Sequence, residues 1–166
     1  RYSLCVLDTQ SIINLEKSEL EKLTNNFYND TYLMDQNACT SPQLVIWIGE
    51  GENVKLGKEI FWNSLYNIVK EHYEIQPIIA IDKLDNFLNQ VVEIEGSRLI
   101  PGVDNLLWRV EIDKLTGRLD SFAARGGYFV EYHAKNLGEI SPIVSRKYQT
   151  LAYFGFTEAK MEEFVG

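Results

Sequence analysis

The chain has 166 residues, 45% of them hydrophobic and 24% charged. These are the proportions of a folded globular domain, and the length supports one core, not two. A formal charge of −8 excludes a broad phosphate-binding surface, since nonspecific nucleic-acid affinity depends on Lys and Arg displacing counterions, so no nucleic-acid partner is expected.

No apolar run approaches the roughly 20 residues that cross a bilayer, and the first residues lack the basic, apolar and small-residue succession of a signal peptide. The expected location is the cytoplasm, with no membrane span. Two cysteines, Cys5 and Cys39, in a chain of this length read as free, reduced thiols. Arg1 stands directly before an apolar segment, which reads as a single domain, residues 1–166, cut from a longer polypeptide.

Residues 2–7 are short, apolar and followed by Asp8, the pattern of a strand buried on both faces. Cys5 lies inside it, and an inert core thiol is its favoured reading. Ser18 and Glu21 have the spacing of a capping box, and Leu20, Leu23 and Phe27 follow at helical spacing, giving an amphipathic helix to about Asp30. Cys39 then falls in a polar loop, residues 35–43, directly before the apolar run 44–48, a central strand that Gly49 and its neighbours stop. Phe61, Leu65, Ile68 and Val69 mark a helix of about four turns, with Lys58, Glu59, Asn63 and Lys70 on its polar side.

Residues 77–81 read as another short buried strand, after which Asp82 caps a helix burying Leu84, Phe87, Leu88, Val91 and Val92. From 95 to 127, Gly96, Pro101, Gly102, Gly117, Gly126 and Gly127 break the chain into short runs such as 106–112 that suit strands joined by turns. Residues 127–133 form a strand with Tyr128, Val130 and Tyr132 on one side, and 137–147 are helical in part, interrupted at Pro142. A last strand spans 149–154, and Thr157 caps a helix burying Met161, Phe164 and Val165. The alternation predicts an α/β fold, a parallel or mixed sheet flanked by helices.

Few residues announce chemistry. There is no Gly-rich phosphate loop and no CxxC, and His72 and His133 are too isolated for a zinc site, so no metal is expected. His72 reads as a solvated helix residue and His133 as a satisfied residue at a sheet edge. Trp47, Trp62 and Trp108 suit core packing better than a channel for an aliphatic substrate. Glu158, Glu162 and Glu163 read as the wet side of the last helix. Arg125-Gly126-Gly127 could hold an anion on its amides, yet a plain turn into the next strand is the simpler reading. Cys39 alone is a weak signal, because spacing identifies no activating base.

The segment Asp35-Gln36-Asn37-Ala38-Cys39-Thr40-Ser41-Pro42-Gln43, with Arg1 to Val6 before it and Arg125-Gly126-Gly127-Tyr128 and Gln149-Thr150-Leu151-Ala152-Tyr153-Phe154-Gly155 downstream, resembles the long-chain acyl-CoA reductase family. That family is the reductase component of the bacterial luminescence fatty-acid reductase, a branch of the aldehyde dehydrogenase superfamily. The resemblance implies an aldehyde dehydrogenase-like catalytic domain in which Cys39 takes the acyl group of a fatty acyl-CoA or acyl-protein thioester. NADPH, bound mainly by a domain outside this chain, then reduces the acyl-enzyme to aldehyde. It also implies an acyl-protein synthetase and a transferase as partners, a homo-oligomer when complete, and the Cys39 N–H as an oxyanion donor. The superfamily's Glu-Ile-Phe-Gly-Pro pattern has no match in 106–112, and its nucleotide-binding half and catalytic Glu segment precede the part matched here. A short-chain CoA-acylating aldehyde dehydrogenase and a noncatalytic α/β binding module are the alternative readings.

Overall fold

The computed structural model describes residues 2–122, 125–143 and 148–165. Six strands form one mixed sheet: β1 (Tyr2–Asp8), β2 (Leu44–Ile48), β3 (Arg98–Ile100), β4 (Trp108–Glu111), β5 (Tyr128–Ala134) and β6 (Tyr148–Phe154), in the order β3-β4-β5-β2-β1-β6. All neighbours run parallel except β3, which pairs antiparallel with β4 at the edge. Central β1 and β2 are apolar along nearly their whole length because both faces of a parallel sheet are covered.

The two faces follow from the alternation of side chains. On one face Cys5, Leu7, Val45, Trp47 and Phe129 pack under two helices, α2 (Lys17–Thr31) and α3 (Glu52–His72), through Phe27, Phe61, Trp62 and Leu65. On the other, Leu4, Val6, Leu44, Ile46, Tyr128 and Val130 are covered by irregular segments around Leu119, Phe122 and Ile140 and by Met161 of the last helix.

Several expectations hold. The strands expected at 2–7, 44–48, 127–133 and 149–154 are present within a residue or two, and both thiols are free, Cys5 buried and Cys39 exposed. Thr157 caps the last helix, its hydroxyl accepting from the Lys160 N–H at 3.4 Å. In that helix Glu158, Glu162 and Glu163 are exposed, Met161 is buried and Phe164 half-buried, while the Val165 side chain lies outside the described residues. No described helix is long and apolar enough to cross a membrane.

Others are corrected. A five-residue helix, α1 (Thr9–Ile13), follows β1 directly, capped by Asp8, whose carboxylate accepts from the Ser11 N–H at 2.7 Å. Helix α2 starts earlier than Ser18: the carboxylate of Glu19, not Glu21, reaches back to accept from the Glu16 N–H at 3.0 Å. Helix α3 runs 21 residues, and Lys58, expected in solvent, is buried. Residues 137–143 hold two short 3-10 turns, Leu137–Glu139 and Ser141–Ile143, and 144–147 lie outside the described residues. His133 is exposed and its ring nitrogen lies 2.8 Å from the Gly49 carbonyl, but β5 is an interior strand, not an edge.

The largest correction concerns 77–81, which is no strand. Pro77 opens a 17-residue helix, α4 (Pro77–Glu93), because a proline suits the first helical position, where its missing N–H has no partner to lose. Asp82 sits inside that helix and caps nothing. Ile79, Lys83 and Gln90 are the buried residues of α4, whereas Leu84, Leu88, Val91 and Val92, expected in the core, are exposed, Val92 by 84%.

Candidate active site

The Cys39 loop leaves α2 through a 3-10 turn, Tyr32–Met34, and then takes two consecutive left-handed residues, Asp35 (φ 51°) and Gln36 (φ 61°). For residues other than glycine that conformation costs roughly 1–2 kcal/mol each. Hydrogen bonds offset it. Asp35 accepts from the Gly126 N–H at 3.0 Å and from the Tyr73 hydroxyl at 2.7 Å. Gln36, 2% exposed, binds the start of β5 from both sides of its amide, its oxygen accepting from the Gly127 and Tyr128 N–H groups at 3.0 Å each. Its Nε2 donates to the Pro42 and Tyr128 carbonyls at 2.9 Å each.

That contact explains Arg125-Gly126-Gly127. Gly127 is left-handed (φ 85°) and a Cβ there would collide with the Tyr32 hydroxyl and the Leu106 carbonyl oxygen. The amides of Gly126 and Gly127 are spent on Asp35 and Gln36, so the segment is a turn and not an anion cradle.

Beyond Gln36 the chain makes a tight turn in which the Ser41 N–H donates to the Ala38 carbonyl at 3.0 Å. The Ser3 hydroxyl of β1 donates to the Cys39 carbonyl at 2.7 Å, and the Ser41 hydroxyl to the Asp30 carbonyl at 2.6 Å. No acceptor among the described residues takes the Cys39 N–H. The thiol stands exposed at the amino end of β2, beside an open cleft of about 670 Å³ lined also by Ser3, Asn37, Asp82, Asp85 and Arg125. Cys5, one strand away, is the contrast: burial, and after it the Asp30 carboxylate, push its thiol up to about 12, so it stays protonated and inert.

A second cleft of about 630 Å³ opens at the carboxyl ends of β2, β4 and β5. Its floor is Glu131, fully buried, whose carboxylate accepts from the indole N–H of Trp47 at 2.7 Å and of Trp62 at 3.1 Å, and from Arg109 Nε at 2.6 Å. Lys58 bridges Glu111 at 2.7 Å and Glu131 at 3.5 Å. Burial opposes ionisation of Glu111, but Lys58, Arg109 and Arg98 outweigh it and hold the carboxyl below its ordinary range. Every charge in this knot has a partner, which makes it a structural device.

The sequence-derived candidates are thus dispersed. Trp47 and Trp62 meet on Glu131, and Trp108 packs apart from them on Phe87 and Tyr128. His72 is exposed at the end of α3 and His133 lines the second cleft, so neither joins Cys39. Reading the sequence missed Glu131, Lys58, Arg109 and the anchoring role of Gln36, because their partners lie far along the chain.

The described residues beside Cys39 do not fit a dinucleotide. Arg125 is their one cation, it is paired with Asp82 at 2.9 Å, and Asp85 adds a second carboxylate. A pyrophosphate gains nothing there.

No protein-family model and no curated protein matches this sequence. Solved structures share its fold. The fold is that of aldehyde dehydrogenases. Among them are a NAD-dependent benzaldehyde dehydrogenase from Corynebacterium glutamicum (10% identity, TM-score 0.56) and an aldehyde dehydrogenase from Brucella melitensis biovar abortus (12%, 0.57). A third is a variant of a 1-pyrroline-5-carboxylate dehydrogenase from Thermus thermophilus (8%, 0.58). Each superposition covers 98% of this chain and 33% to 36% of the solved one, so the chain spans about a third of their length.

Proposed function

We propose that this chain is the acyl-accepting part of an oxidoreductase that interconverts thioesters and aldehydes, and specifically of an NADPH-dependent long-chain acyl-CoA reductase. The observation that carries the reading is the placement of Cys39: an exposed thiol on a braced turn, at the mouth of a cleft, on an aldehyde dehydrogenase fold. The likeness of residues 35–43 to the acyl-CoA reductases supports the narrower assignment.

In the step assigned to this chain, the Cys39 thiolate attacks the thioester carbonyl carbon and a new carbon–sulfur bond forms. The Cys39 N–H, which no acceptor among the described residues takes, is available to the oxygen that gains charge. The tetrahedral adduct collapses with loss of the donor's thiolate, leaving an acyl group on Sγ. A thiolate suits both halves, being a strong nucleophile and a good leaving group. The reductant in this reading is NADPH, held outside residues 1–166.

Incubating the complete polypeptide with acyl-CoA esters of graded chain length, followed by peptide mass spectrometry, tests the assignment. The acyl mass belongs on Cys39, with long chains preferred, and Cys39→Ser should slow its formation by about a thousandfold or more. Labelling of Cys5 alone, or none, sinks the reading in favour of a binding module. A preference for acetyl- or propionyl-CoA moves it to the short-chain CoA-acylating aldehyde dehydrogenases.

A further inference from the structure

We propose that Gln36 is the positioning residue of the Cys39 thiol, a role that rests on Cys39 being the acyl acceptor. A primary amide has two N–H donors and two acceptor lone pairs, and Gln36 spends all four within the protein, on Pro42, Gly127 and both backbone groups of Tyr128. The two amide N–H groups facing Oε1 and the two carbonyls facing Nε2 leave only one orientation of the side chain.

These bonds enclose the thiol. From one end of the 36–42 loop the Gln36 side chain reaches the other end at the Pro42 carbonyl, and the Gln43 amide returns to the Gln36 carbonyl at 3.1 Å. Cys39 is at the middle of the segment so closed. The same side chain fastens the loop to β5, while the Gln43 N–H donates to the Ser3 carbonyl and the Ser3 hydroxyl holds the Cys39 carbonyl. The turn is therefore tied to β5 and β1 at once. Gln36 contacts no reacting atom in this arrangement. It acts by keeping a solvent-exposed loop in one conformation, which matters for a reaction needing a near-attack geometry and little for a small reagent that can approach from any side.

That difference supplies the test. In the complete polypeptide, Gln36→Ala should slow transfer of an acyl group from acyl-CoA to Cys39 by about tenfold or more, as a misplaced nucleophile does. Alkylation of Cys39 by iodoacetamide should change by less than about twofold, and Cys5 should stay protected, reporting an intact fold. Gln36→Gly, which suits the left-handed backbone, should show the same split if the side chain is what matters.

Gln36→Glu sharpens it. An ionised carboxylate accepts from Gly127 and Tyr128 but repels the Pro42 and Tyr128 carbonyls, whereas the protonated acid donates to one of them. Burial raises the carboxyl's pKa, so the variant's acyl-transfer rate relative to the unsubstituted protein should climb as pH falls from about 8 to about 6. Hydrogen exchange at amides 37–41 should rise in Gln36→Ala while β1 and β2 keep their protection. Equal losses in acylation and alkylation, unchanged acylation, or unchanged exchange at 37–41 would each overturn the role of Gln36. Absence of acyl transfer in the unsubstituted polypeptide would instead overturn the reading of Cys39, leaving the exchange result to judge the clamp by itself.

Discussion

The sheet has a cleft at each end, similar in size and opposite in construction. At the carboxyl ends, where open α/β sheets usually bind ligands, the buried Glu131 is met by two indoles, an arginine and a lysine, and its carboxylate is fully spent on them. At the amino end the walls are polar side chains, some buried like Ser3 and Gln36 and others exposed like Asn37 and Asp85, around an exposed thiol. Volume and position do not distinguish a site from a structural knot; the number of unspent functional groups does.

The sharpest way to break this contrast is Glu131→Ala. It strands Arg109 and two indole N–H groups and leaves Lys58 with Glu111 alone, and removing one member of a buried ionic network costs roughly 3–5 kcal/mol. Urea unfolding should show that loss, while acyl acceptance by Cys39 per folded molecule stays within about twofold. A collapse of acyl transfer with stability intact would show that the two ends are coupled.

Two buried lysines extend the comparison. Lys58 has carboxylate partners, whereas Lys83 of α4, behind the Cys39 cleft wall, has its ammonium on a carbonyl, that of Asn105, at 2.6 Å. Burial lowers Lys83 from its ordinary 10.5 to about 7, the Asp104 charge opposing that only in part. Between those values the unfolded chain holds the proton and the folded chain does not, so stability rises with pH, by up to about 1.4 kcal/mol per unit. Ionisation of Cys5 in the unfolded chain, from its ordinary 9.0, opposes this gain before the tyrosines do and limits the useful window to about pH 7–8. Urea midpoints across it should climb, and Lys83→Met should flatten the climb.

The smallest effect belongs to the ion pair beside Cys39. Asp82→Asn removes the partner of Arg125 where both side chains are more than a third exposed, so unfolding free energy should move by less than about 0.5 kcal/mol. A larger loss would mean that the polar wall is as structural as the knot opposite.

The legibility of these features follows their physics. Strands β1 and β2 are visible in the sequence because burial on both faces leaves unbroken apolar runs. Residues 77–81 look the same, and periodicity alone cannot tell a buried strand from one turn of an apolar helix; Pro77 at a first-turn position was the available cue. Cys39 is legible as a loop thiol before a strand. Glu131 is not, since in a strand of alternating residues it resembles any solvent-facing acid, and its partners Trp47, Lys58, Trp62 and Arg109 are joined to it only by the sheet register and the docking of α3. Gln36 stands in the quoted motif, yet no spacing reveals that its amide spans to residues 127 and 128.

The pairing of β1 with β6 joins opposite ends of the sequence, Tyr2 with Tyr148 through Leu7 with Phe154. During synthesis one edge of β1 must therefore wait, unmatched, until nearly all of these residues have left the ribosome. Such distant pairing slows folding and leaves an open strand edge for that interval. Because Ser3 belongs to that strand, the loop bearing the thiol gains its last support late, and truncations that remove β6 should yield a protein prone to clump before it can react.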